Sequence, residues 1–112
     1  MSQQGLLVLW FQEHLVPGKP QYTYEEICGL AEQYIRRHDD EIADLEASKK
    51  KPGHLMALKK LRDQEHIEFN GGLDLPDLRV PANVSYIAQW EGELNLLSNI
   101  IMARFHRVQQ QQ

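Results

Sequence analysis

Cysteine is almost missing: Cys28 is the only one in 112 residues, so no intramolecular disulfide can form and a reducing compartment fits best. Its apolar neighbours suit a small buried hydrophobe better than a reactive thiol. Long apolar runs are missing as well. LLVLWF, Leu6 to Phe11, has no positive flank and no small-residue cleavage site, which predicts no secretory leader. Nothing approaches the ~20 apolar residues of a membrane span. An excess of base is also lacking. The formal net charge of −4 argues against a surface that grips nucleic acid everywhere, because phosphate neutralisation needs clustered Lys and Arg.

Catalytic and ligand motifs are equally scarce. Gly71-Gly72 opens an extended stretch rather than a helix, so it is no phosphate loop. Ser2, Ser48, Ser85 and Ser98 lack a nucleophile elbow. His38-Asp39-Asp40-Glu41 is ligand-rich, but neighbours on a helix point in different directions. Asp63 and His66 have a chelating spacing that occurs once, where a di-metal bundle needs it twice. The expectation is a protein that is not an enzyme, with no cofactor, no metal and no small-molecule substrate.

What is present reads as helix. Leu7, Trp10, Phe11 and His14 recur at helical spacing before the Pro17-Gly18-Lys19-Pro20 stop. Thr23 and Glu26 form a capping box, followed by a stripe through Ile27, Leu30, Ala31, Tyr34, Ile35, His38, Ile42 and Leu45. That predicts one helix from about Tyr24 to Ala47. A third helix begins after Pro52-Gly53 and stops at a left-handed cap on Gly71 or Gly72. Asn83 is placed to cap a fourth, with Ile87, Trp90 and Leu94 on one face. Leu96 to Arg107 is expected to pack back on the core as an extended or short helical segment.

Phe69 to Val84 is the ambiguous stretch. Leu73, Leu75 and Leu78 sit among Gly71, Gly72, Asp74, Pro76, Asp77 and Pro81. Pro76 lacks an amide donor and forces Leu75 into extended backbone, which disfavours a central strand. Burying a leucine returns roughly 1.5–3 kcal/mol, so a free linker would not carry three. The expectation is an ordered loop strapped across the helices. The fold class is therefore all-α: two longer antiparallel helices, a short N-terminal helix, the Leu/Pro-rich loop and a C-terminal helix. Residues 6–107 form the single helical domain, with disordered ends at 1–5 and in the Gln-rich 108–112. Trp10, Thr23, Glu26, Leu73, Leu75, Leu78 and Trp90 are the expected structural anchors.

Charge is the most informative feature. Lys49, Lys50, Lys51, Lys59, Lys60 and Arg62 are half of the 12 basic residues, and no acid lies between Ala47 and Arg62. Arg36 and Arg37 stand earlier on the second helix. A cluster at the tip of a helical hairpin would contact phosphates and position the protein on RNA without reading bases. Tyr22, Tyr24, Tyr34 and Tyr86 are scattered and not interleaved with it, which favours packing over base stacking. A lysine-rich turn that is merely solvated is the plain alternative.

The ordered set LWFQEHL at 9–15, YTYEE, YIRR and EIADLE within 22–46, and FNGGLDLPDL, ANV and Trp90 within 69–90 resembles the translation machinery-associated protein 16 family. The likeness runs on, more weakly, through Asn99-Ile100-Ile101-Met102-Ala103-Arg104. It implies a non-enzymatic ribosome biogenesis factor of the nucleus (nucleolus or nucleoplasm, with the cytoplasm also open). Its partners would be precursors of the large ribosomal subunit, with their ribosomal RNA and ribosomal proteins. The family carries a Lys/Arg-rich extension before the helical core that this sequence lacks. Candidate RNA or particle contacts are Arg36, Arg37, Lys49, Lys50, Lys51, Lys59, Lys60 and Arg62, on a chain expected to be monomeric. The competing reading is a helical protein–protein adaptor unrelated to RNA, and salt dependence separates the two.

Overall fold

The centre of the leucine-rich stretch is a strand. In the computed structural model, which describes residues 3–108, β1 (Leu73–Pro76) pairs antiparallel with β2 (Met102–Phe105). Leu73 stands opposite Phe105 and Pro76 opposite Met102. The Asp77 amide extends the ladder to the Ile101 carbonyl at 2.9 Å. The all-α expectation is thereby corrected to a mainly helical fold with a two-stranded sheet. Pro76 is tolerated because both strands of a two-stranded sheet are edges, where a missing amide leaves no partner unpaired. Leu75 and Leu78 are wholly buried and Leu73 half-buried, so the leucines are held as the strap required.

The helices are α1 (Gln3–Glu13), α2 (Tyr24–Ile35), α3 (Asp39–Ser48), α4 (Pro52–Gly71) and α5 (Pro81–Gln89), with a 3-10 helix over Leu94–Asn99. Of the ends expected to be disordered, residues 1–2 and 109–112 lie outside the described residues. Gln3, Gln4 and Gly5 already belong to α1, and Gly5 is buried. At α2 the Thr23 hydroxyl accepts from the Glu26 amide at 3.1 Å while the Glu26 carboxylate accepts from the Thr23 amide at 2.9 Å. This capping box fixes where the helix starts.

The single helix expected over Tyr24–Ala47 is two. At Arg36 the backbone turns out of helical geometry (φ −91°, ψ 8°), and the Arg37 amide closes a tight turn onto the Tyr34 carbonyl. The chain re-enters a helix at Asp39. Asp39, Asp40 and Glu41 occupy its first turn, where carboxylates favour the positive end of the helix dipole. The apolar stripe survives the break, because Ile42 is still buried. The chain then reverses over three lysines, Lys49 and Lys51 both lying in the left-handed region at φ 55° and 50°. Pro52 opens α4 at its first helical position, where a missing amide costs nothing.

α4 is the spine: it packs against α2, α3 and β1, while α1 packs on α5. It ends at Gly72, whose φ of 118° and ψ of 121° lie outside the expected left-handed cap but in space open only to glycine. A Cβ there would come within 2.8 Å of the Arg104 side chain. Phe11, Ile27, Ile35, Phe69, Leu75, Leu78, Ile87 and Phe105 fill the core. Trp90 is buried and its indole donates to the Glu93 carbonyl at 3.0 Å. Trp10 sits half-buried at the rim, stacked on His14 and edge-on to Tyr34.

Asn83 does not cap α5. Val80 and Pro81 begin that helix without a side-chain cap, and Asn83 points inward with 3% of its surface exposed. Its amide donates to the backbone carbonyls of Asp77 and Ile101 at 3.0 Å each, and its carbonyl accepts from the Ile101 amide at 2.9 Å. One side chain thus ties α5 to both strands where the ladder ends.

Candidate nucleic-acid interface

The structure sorts the 12 basic side chains by what they touch. Arg37 grips Glu65 with two parallel bonds of 2.8 and 2.9 Å and lies 3.8 Å from the Tyr34 ring centre. Lys59 pairs with Glu46 at 2.7 Å, and Arg62 with Asp63 at 3.3 Å. Lys19, Arg79, Arg104 and Arg107 pair with Glu26, Asp77, Asp74 and Glu32. Arg36, Lys49, Lys50, Lys51 and Lys60 remain exposed and form no ion pair among the described residues. Three of these five are consecutive at one turn.

The candidate patch is therefore smaller than the sequence suggests. Ala47 to Arg62 contains no acid, but α3 brings its own acids against that segment. Glu41 binds the His54 imidazole at 3.0 Å, and Glu46 binds Lys59. The hydrogen bond from His54 holds the Glu41 carboxyl below its ordinary range, with the charges of His38 and Lys51 adding to it. The hydrogen bond and charge of Lys59 do the same for Glu46. Both carboxylates are thus firmly ionised and offset part of the basic face. Arg37 belongs to the α2–α4 packing.

The remaining cations do not all converge. Arg36 stands one length of α3, about 15 Å, from the lysine turn. It lines a separate groove of about 500 Å³ with Glu25, Cys28, Glu32, His66 and Arg107. Lys60 is on the outward side of α4. The coherent element is Lys49-Lys50-Lys51, three consecutive exposed side chains on the turn between α3 and α4. The Lys49 amide closes α3 onto the Leu45 carbonyl at 2.9 Å, and the Ser48 hydroxyl accepts from the Lys50 amide at 3.4 Å. Such a turn can contact phosphates; no base-reading group accompanies it.

The tyrosines are occupied elsewhere. Tyr22 is buried, Tyr24 packs on Phe105, Tyr34 on Trp10 and Arg37, and Tyr86 donates to the Leu96 carbonyl. Among the described residues no group of three or more His, Cys, Asp or Glu is placed to hold a metal. Asp63 and His66 point to different partners, Arg62 and Arg107. Burial pushes the Cys28 thiol up, and it donates to the His106 carbonyl. Sequence reasoning passed over Arg107, which binds Glu32, Asn70 and His66 above the Phe69 ring and pins the C-terminal segment to α2 and α4. Its partners lie far away in sequence, so no local pattern announces them.

The fold and this turn define a class: a mainly helical domain with three consecutive lysines at one turn, unpaired among the described residues. Comparison with known proteins places it further. The profile of the family described as Translation machinery-associated protein 16 matches residues 1–107. Proteins of that name from Xenopus laevis and Danio rerio are 30% and 28% identical, over 93% and 89% of this chain. The Saccharomyces cerevisiae protein is 26% identical over 80% of it. The aligned stretch takes up 58%, 56% and 52% of those relatives, so the chain spans little more than half their length. The chain belongs to the translation machinery-associated protein 16 family.

Proposed function

We propose that this domain is a non-enzymatic docking module of large-subunit biogenesis. It associates in the nucleus with precursors of the large ribosomal subunit and touches ribosomal RNA through Lys49, Lys50 and Lys51. The observation that carries the reading is the contrast in pairing. On a chain of net charge −4, these neighbouring lysines alone stand together without an ion pair among the described residues. Family membership supports the link to the translation machinery. Arg37 and Lys59 act as struts onto and from α4, Arg62 is held by its neighbour Asp63, and Arg36 and Lys60 contribute at most separate contacts. Neighbouring ribosomal proteins would be met by the remaining surface.

Sedimentation of the tagged chain in a nuclear extract tests this. Cosedimentation with large-subunit precursors that is lost as salt rises is the expected result, because phosphate contacts release counterions. A chain that stays at the top of the gradient at low salt contradicts the proposal. Association that ignores salt supports the adaptor reading instead.

A further inference from the structure

The two most exposed large apolar side chains among the described residues, Met56 at 71% and Ile67 at 64%, lie on one helix, α4. Successive α-helical residues turn by about 100°, so residues 56, 60, 63 and 67 fall within about 60° of one another. This line, Met56-Lys60-Asp63-Ile67, runs along the side of α4 opposite buried Leu58 and Phe69. It has the spacing of a coiled-coil seam, and it faces solvent. Its order is self-complementary. Met56 and Ile67 are centred on the same point of the helix as Lys60 and Asp63, midway between Leu61 and Arg62.

We infer that α4 pairs weakly with α4 of a second copy of this chain, antiparallel, about a two-fold axis at that point. The axis sets Met56 against the second copy's Ile67 and Lys60 against its Asp63, so each apolar group meets an apolar group and each charge its opposite. A two-fold contact must match itself in this way, and the order of residues along the seam does so. A second copy is also the one partner whose complementarity is written in the sequence. Among the described residues Lys60 has no ion pair, and Asp63 holds only its neighbour Arg62 at 3.3 Å. One helix face covers far less than the roughly 1,200 Å² of a stable complex, so the pairing is weak and concentration-dependent. It leaves the lysine turn free.

Sedimentation equilibrium of the full chain from ~10 μM to ~1 mM tests this, spanning the range of weak association. The weight-average mass should climb toward the dimer. Lys60→Asp or Asp63→Lys alone should lower association about tenfold, and the double exchange Lys60→Asp with Asp63→Lys should restore it. Met56→Asp should abolish it while the circular dichroism stays unchanged. A wild-type chain that remains monomeric at the highest concentration overturns the inference. So does an association that the charge exchanges leave unaltered.

Discussion

At the turn between α3 and α4, three lysines stand in solvent with no ion pair among the described residues, two of them in backbone that favours glycine. At the other joint, where β1, α5 and β2 meet, the polar groups are buried and bonded. Asn83 makes three backbone hydrogen bonds, and the Asp77 carboxylate takes the Arg79 amide at 3.1 Å and its guanidinium at 2.8 and 3.1 Å. Polar atoms left unsatisfied in a core cost about 1–3 kcal/mol each, which explains the completeness of the second joint. The first meets no such demand. Its residues carry strain and charge that contribute little to folding, and so they are available for binding.

Breaking the buried joint should give the largest stability effect. Asn83→Ala strands the Ile101 amide, leaves the Asp77 carbonyl only a long bond from the Val80 amide, and should cost about 2–3 kcal/mol in urea unfolding. Particle association should persist wherever the protein is still folded. A loss under 0.5 kcal/mol would show that water replaces the amide at no penalty.

Asp77 comes next, about 1–2 kcal/mol at neutral pH for Asp77→Asn. The Arg79 guanidinium bond holds its carboxyl below the ordinary value, with the Arg79 backbone amide adding to it. A group whose folded pKa is depressed contributes stability that is present above the unfolded value of about 3.9 and is lost as pH falls through the folded value. The wild type should therefore weaken below about pH 4, and the variant should have a shallower acid limb. Matching acid limbs would dismiss the Asp77–Arg79 pair as a source of stability.

The smallest effect belongs to the strained turn. Lys49→Gly and Lys51→Gly relieve left-handed backbone, offset by the greater freedom of unfolded glycine, and should each stabilise by about 0.5 kcal/mol. Each should also weaken RNA association. A variant that destabilises instead would mean the lysine stems are packed, contrary to their exposure.

The contrast also explains what could be read in advance. The capping box at Thr23, the start of α4 to within two residues of Pro52-Gly53 and the burial of Leu75 and Leu78 are local or apolar signals, and local physics settles them. β1 was hidden because its partner lies beyond α5 and the 3-10 helix, and because Pro76 argues against a strand everywhere except at an edge. Asn83 looked like a cap because a buried amide and a capping amide are the same residue in a string. The break at Arg36 left no mark, since the stripe of Ile35 and Ile42 continues across it. The pairing of the basic face is hidden for a similar reason. An acid-free run of sequence says nothing of Glu41, Glu46 and Glu65, which arrive from other turns of the fold.

The most direct test of the central claim replaces Lys49, Lys50 and Lys51 together with Glu and follows association with large-subunit precursors across a salt series. The account predicts unchanged thermal stability, weaker association, and a log–log salt slope shallower by roughly 2, near 0.7 for each single-strand phosphate contact removed. Unchanged affinity and slope in a folded triple variant would contradict it, and the lysine turn would then be an ordinary solvated tip.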